Sequence, residues 1–327
     1  MNLKNLPMPR NVDKHIWGLF HEESPRNVPE LMHPPFLQLF NYSATFSRHS
    51  DVPLTLQYLK TIEDITSNEY FISTKEKNSL LSSIAPILFL QSDCDTATER
   101  ELYVEELMKH IAVDSYGTCL NNRELPHQFQ EDYLNKLDDS DFLKFIARYK
   151  FVIAIENGVC EDYITEKLWR ALKVGTVPIY FGSPSVTDWL PNNKSVILLT
   201  EYPTPTLMAS HVRNLLASDR KYEEYLEHKL KKIITNKRLI LESETYPYQS
   251  DTLMAVNEFE CLICQIVHER RKGVQKQSIV SKKHYDCPKP MSALTLSAND
   301  RNSWIYTWEV ALNTAESIYQ KVMNTRY

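Results

Sequence analysis

The run from Phe151 to Ser185, FVIAIENGVCEDYITEKLWRALKVGTVPIYFGSPS, constrains the fold more than any other part of the chain. Phe151 to Ile155 is an unbroken apolar stretch, the mark of a strand covered on both faces. A helical pattern follows. Ile164, Leu168, Ala171 and Leu172 form an apolar stripe, and Tyr163, Glu166, Lys167 and Arg170 fall at spacings that share the opposite face. Val177 to Phe181 then reads as a second buried strand. Strand, helix and strand in succession predict an α/β chain with a parallel, doubly wound sheet.

This arrangement delivers Glu156 and Asn157 to the carboxyl end of a buried strand, where ligands sit in open α/β sheets. Asp162 is placed to cap a helix starting near Tyr163. A cationic face near a helix N-terminus suits a phosphate-bearing ligand. The same spacing also fits an ordinary amphipathic helix with a solvated polar face.

Elsewhere, Ile16 to Phe20 and Phe36 to Phe40 read as strands, as do Ile87 to Gln91 and Val196 to Leu199. Helical periodicity runs over Thr98 to His110, with Leu102, Leu107 and His110 near one face. It recurs over His211 to Ala217, Tyr222 to Ile234, Leu253 to Arg270 and Ser303 to Met323, and Lys272 to Pro290 reads as a loop. With 327 residues, two domains are expected. A net charge of −5 argues against nucleic acid as a partner. Only 6 glycines are present, with neither G-x-G-x-x-G nor G-x-x-x-x-G-K, which excludes dinucleotide fingerprints and P-loops. The apolar run Ile84 to Leu90, interrupted by Pro86, is far too short to span a bilayer, and Met1 to Arg10 has no signal-peptide core.

E-N-x-x-x-x-D-Y-I-T-E-K-L-W from Glu156, followed by V-P-I-Y-x-G-S-P-S from Val177, resembles the α-1,3-fucosyltransferase family, glycosyltransferase family 10. F-H-E-E-S-P at 20–25, L-F-N-Y-S-A-T-F-S-R-H-S-D at 39–51, Q-S-D-C-D at 91–95 and V-D-S-Y-G-T-C-L at 113–120 extend the resemblance. So do G-S-P-S-V-T-D-W-L-P at 182–191 and F-E-C-L-I-C at 259–264. The wider pattern is similar to the branch containing α-1,3-fucosyltransferases 10 and 11, also described as protein O-fucosyltransferases 3 and 4. The resemblance implies a GT-B enzyme with two Rossmann-like domains and a cleft between them. Such an enzyme transfers L-fucose from GDP-β-L-fucose to an acceptor hydroxyl with inversion. No metal or other cofactor is expected, GDP-fucose being a co-substrate. The acceptor would be Ser or Thr of a folded protein domain, or a GlcNAc-containing glycan. The compartment would be the lumen of the endoplasmic reticulum or Golgi, with membrane attachment only through an anchor that is not in this sequence.

By the same resemblance, Glu23 of the Glu-Ser-Pro sequence is the expected general base, and Glu22 is the weaker candidate because neighbours on an extended segment point oppositely. Arg100 and Lys167 match positions that hold the diphosphate, where positive charge must meet the leaving group. Ser92 and Asp93 align near the nucleotide, Asp93 standing where many relatives carry Asn. Asn157, Tyr163 and Glu166 match donor contacts, while Glu156 and Arg170 are expected to support the site. The expected domains are 1–85 on the acceptor side, 86–270 for GDP-fucose and 271–327 as a C-terminal loop and helix. Relatives begin with an anchor, a stem and an earlier strand segment, so the first domain is expected to be incomplete. A non-catalytic nucleotide-sugar-binding protein is the alternative to an enzyme.

Other signals compete. Asp93-Cys94-Asp95 is the D-x-D triplet that binds manganese in GT-A transferases. Cys261-x-x-Cys264 with His284-x-x-Cys287 mimics a zinc ribbon. Relatives use that C-x-x-C in disulfides, so Cys261 and Cys264 are disulfide candidates, together with Cys94 and Cys119 at the ends of neighbouring elements; connectivity is not readable from sequence. Asn41 and Asn193 open N-x-S/T sequons.

Overall fold

A computed structural model describes residues 6–12, 14–130, 138–274 and 278–324. Two parallel sheets carry the chain. The first has three strands in the order β1 (Gly18–His21), β2 (Tyr42–Thr45) and β3 (Val52–Pro53). The second contains β4 (Ile87–Leu90), β5 (Val113–Tyr116), β6 (Phe151–Ile155), β7 (Val177–Phe181) and β8 (Ile197–Leu198), ordered β5-β4-β6-β7-β8, every pairing parallel. Helices α1 (Arg100–Met108), α2 (Ser140–Ala147), α3 (Glu166–Val174) and α4 (Pro205–Leu216) connect or flank these strands.

That strand order turns the winding around at β4. The chain moves outward to β5, then crosses back to β6 on the other side of β4. The carboxyl ends of β4 and β6 therefore splay their loops apart, leaving a crevice, which is where open α/β sheets bind ligands. Apolar residues on both faces hold the sheet: Ile87, Phe89, Phe151, Ile153, Val177 and Ile179 pack with Tyr103, Val104 and Leu107 of α1 and Met208 and Val212 of α4. On the opposite face Leu168, Trp169 and Leu172 of α3 pack with Ala154, Tyr180 and Trp189.

Two long helices, α5 (Thr252–Arg271) and α6 (Ser303–Asn324), return to the first sheet. Ala255, Phe259 and Ile266 of α5 pack on Tyr42, Ala44, Val52 and Leu54. Gly18 is required here, because a Cβ at that position would stand 2.8 Å from the Phe259 ring. Ala315 and Val322 of α6 pack with Leu31, Met32, Phe36 and Leu37. The contiguous boundaries 86–270 and 271–327 therefore need correction. The chain leaves the larger unit before α5, and its last two helices belong with the N-terminal sheet.

Several local expectations also change. Phe36 to Phe40 is not a strand: Pro34–Leu37 is a short helix, because consecutive prolines start a helical turn and cannot donate to a ladder. Strands β2 and β5 were not expected, since Ser and Asp interrupt their apolar pattern. In α1 Leu102 is exposed, and Tyr103, Val104 and Leu107 make the buried face. The stretch Tyr222 to Ile234 breaks into short turns and ends before residue 231. In the loop Lys272 to Pro290, residues 275–277 lie outside the described residues, as do residues 1–5 of the N-terminal stretch.

Candidate active site

At the crevice between the β4 and β6 loops lies a cavity of about 260 Å³ lined by Ser92, Asp93, Arg100, Asn157, Glu166, Lys167 and Arg170, with Arg26 reaching in from the other unit. Six of the expected donor-side residues thus meet at one place. Tyr163 is not among the lining residues. It stands instead beneath Glu23.

Helix α3 starts later than its periodicity suggests, at Glu166, with Thr165 as its cap. Asp162 is not the cap: its backbone is left-handed (φ 64°), and its carboxylate has another task. Thr165 donates its hydroxyl to Glu156 Oε2 (2.7 Å) and its amide to Glu156 Oε1 (2.8 Å). The fully buried Glu156 thereby fixes the helix N-terminus, and burial raises its pKa. Lys167 Nζ lies 3.2 Å from Glu166 Oε1 and 3.4 Å from Glu156 Oε2. Burial works against the Lys167 charge, but the two glutamates outweigh it and raise its pKa, keeping a fixed cation at the cavity. Burial likewise opposes ionised Glu166, yet Lys167 and Arg170 bring it down to about 2. Arg100 is buried, and burial lowers its pKa. Its guanidinium donates to the carbonyls of Ile155 (3.2 Å) and Asp93 (3.4 Å), bracing both loops as well as facing the cavity. The buried Asn157 Oδ1 has no hydrogen-bond partner among the described residues and lies at the cavity.

Glu23 sits in the turn after β1. Tyr58 donates its hydroxyl to Oε1 (3.3 Å) and Tyr163 donates to Oε2 (3.2 Å), while the Tyr285 hydroxyl holds the Glu23 carbonyl at 2.7 Å. Tyr58 is raised in pKa first by burial and then by Glu23 and Glu166, so the turn and the donor cavity share one electrostatic neighbourhood. Next to it, Ser24 and Pro25 lie on Gly158, where a Cβ would come within 3.3 Å of the Ser24 Cβ. Glu22 has its pKa raised by burial and by Glu23, and its carbonyl accepts from Gln57.

Residues missed from sequence hold this geometry. Arg48 Nε donates to Asp162 Oδ2 (2.9 Å), and Nη1 donates to Asp188 Oδ2 (2.6 Å). Ser185 Oγ (2.8 Å) and Trp189 Nε1 (3.0 Å) complete the Asp162 carboxylate. The quoted S-R-H-S-D and G-S-P-S-V-T-D-W-L-P pieces contain these residues, but nothing in one sequence says that they touch.

Cys94 and Cys119 are joined in a disulfide, tying the loops after β4 and β5 together. The other disulfide joins Cys160 to Cys287. Cys261 and Cys264 are corrected: they are exposed thiols on α5, and Cys287 is consumed elsewhere, so the zinc-ribbon set does not assemble. In the D-x-D triplet, Asp93 pairs with Arg26 and Asp95 accepts from Trp304 Nε1 (2.9 Å). Among the described residues no group of three or more His, Cys, Asp or Glu could hold a metal ion. Of the two sequon asparagines, Asn41 is half-buried, its amide nitrogen donating to the Ser278 carbonyl (3.2 Å) and its oxygen accepting from Trp17 and Arg10, and Asn193 is exposed. No helix is long and apolar enough to cross a membrane among the described residues.

A switch-point cavity lined with cations, beside a carboxylate carried by a second α/β unit, is a site fit for nucleotide-sugar transfer. Comparison with known proteins agrees. Residues 74–283 match the profile of glycosyltransferase family 10 (fucosyltransferase), C-terminal part. The chain is 44% identical over 338 residues to GDP-fucose protein O-fucosyltransferase 3 of Gallus gallus, covering 99% of this chain and 70% of that protein. It is 44% identical over 332 residues to the Homo sapiens protein of the same name, covering 97% and 68%. A crystal structure of an α1,3-fucosyltransferase with GDP-fucose aligns with TM-score 0.47 and 18% identity over 72% of this chain and 76% of that one. The chain belongs to glycosyltransferase family 10. It is a glycosyltransferase built on two parallel α/β units.

Proposed function

We propose that this chain moves L-fucose from GDP-β-L-fucose to a Ser or Thr hydroxyl of a folded protein domain, with inversion at the sugar carbon. The names of its relatives support that choice of donor and acceptor over a free glycan. Glu23 takes the proton of the incoming hydroxyl as its oxygen attacks C1 of fucose. The C1–O bond to the diphosphate breaks on the opposite face, and the charge left on GDP falls to Lys167 and Arg100, with the α3 N-terminus beside it. Asn157, Ser92 and Glu166 offer polar atoms to the nucleotide or sugar hydroxyls. The two disulfides support a lumenal, oxidising compartment.

The observation that carries this reading is the Glu23 carboxylate, held by Tyr58 and Tyr163 next to a cation-lined cavity. Incubation with GDP-fucose and parallel folded-domain and glycan acceptors, followed by mass spectrometry, tests it. Fucose is expected on Ser or Thr of the folded domain. Glu23→Gln should lower the transfer rate by about 10²–10⁴-fold while GDP still binds. An unchanged rate in that variant removes Glu23 from its role.

A further inference from the structure

Beyond Glu23 in the same turn, Arg26 crosses to the larger unit, where its guanidinium pairs with the Asp93 carboxylate at the rim of the donor cavity. Both side chains are only partly exposed, 38% and 24%. The turn is seated on one side by the Tyr285 hydroxyl on the Glu23 carbonyl and by Gly158 under Ser24. Towards the loop after β4, Arg26 is its link. That loop is itself fixed, by the Cys94–Cys119 disulfide, by Trp304 on Asp95, and by Asn299 on Glu99 (2.9 Å). A carboxylate at position 93 is also awkward chemistry, because it faces the cavity in which a diphosphate would sit, and like charges there repel. A cation from across the cleft removes that conflict.

We propose that Arg26 is a positioning residue: its pairing with Asp93 fixes the Glu23 turn against the donor loop and neutralises a carboxylate that would otherwise oppose the diphosphate. The inference rests on the transferase reading above. It separates two effects that one substitution would confound. Arg26→Ala leaves Asp93 with only the buried Arg100 as a neighbouring cation, so GDP should bind about tenfold more weakly, and the turn, loosened on its donor-loop side, should lower kcat about tenfold. Adding Asp93→Asn removes the repulsion, so GDP affinity should return to within about threefold of wild type while kcat stays low. Partly exposed ion pairs contribute little to folding, so thermal unfolding should be nearly unchanged in both variants.

Titration calorimetry with GDP and initial rates at saturating GDP-fucose provide the readouts. If GDP binding stays as weak in the double variant as in Arg26→Ala, Arg26 contacts phosphate itself and the proposal is overturned. An unchanged kcat in Arg26→Ala overturns it equally. A wild type that neither binds GDP nor transfers fucose sinks the transferase reading and this inference together, whereas a competent wild type with an indifferent Arg26→Ala sinks the inference alone.

Discussion

Tyr58, beyond β3, and Tyr163, just before α3, each spend a hydroxyl on one oxygen of the same carboxylate. A carboxylate free to rotate would meet an incoming alcohol in many geometries, whereas one held at both oxygens meets it in few. Hydrogen bonds to charged groups are worth about 1.5–3 kcal/mol, so losing one should matter to rate more than to folding. Tyr163→Phe keeps the buried ring against Phe46 and removes only the donor. We expect kcat to fall about tenfold with GDP affinity unchanged, and Tyr58→Phe to add to the loss. Initial rates at saturating donor decide this; a Tyr163→Phe enzyme as fast as wild type would remove the hydroxyl from the positioning of Glu23.

The element that matters most is α3, and its start is set by neighbours rather than by its own periodicity. Asp162 is nearly buried in a left-handed conformation, and Arg48 supplies both a backbone and a side-chain donor to it. This ties the segment after β2 to the loop that carries Tyr163 and leads into α3. Removing one partner of a buried ion pair strands the other charge. Arg48→Ala should therefore cost about 3 kcal/mol of stability, read as a lower urea midpoint. Arg48→Lys should recover little, because an ammonium cannot reproduce the guanidinium fork that reaches Asp162 and Asp188 together. Full stability in Arg48→Ala would show that the network does not fix the helix start.

For the whole molecule, the half-buried His21 and the buried His228 make folding sensitive to mild acid. Burial lowers His21 to about 4 and His228 to about 3. Both are depressed bases, so between the unfolded value near 6.5 and these folded values the unfolded chain binds more protons. Stability is then fully present above pH 6.5 and is lost as pH falls towards 4, by at most about 1.4 kcal/mol per unit for each group. Carboxylates that burial raises, Glu101 to about 6 together with Glu22, Glu156 and Glu242, take up protons in the folded chain first and oppose part of that slope below about pH 6. Urea midpoints measured from pH 7 to 5 should fall steadily, and His228→Leu should flatten the decline. A wild-type midpoint constant over that range would contradict the account.

The parallel α/β class is legible in the order of residues alone, because the apolar runs 87–90, 151–155 and 177–181 leave a strand nowhere to go except a sheet covered on both sides. That order also supplied most of the cavity, since Ser92, Asp93 and Asn157 follow strand ends by simple succession, with Arg100 and Lys167 on the helices just beyond. Tertiary structure alone decided which distant side chains complete those groups. The pairing of Arg26 with Asp93, the seating of Glu23 on Tyr58 and Tyr163, the grip of Arg48 on Asp162, and the return of α5 and α6 to the first sheet all join residues far apart in the chain. Local spacing encodes which face a residue occupies. It carries no record of what packs against that face, and here the packing chose the helix start, the cysteine pairs and the placement of the acid.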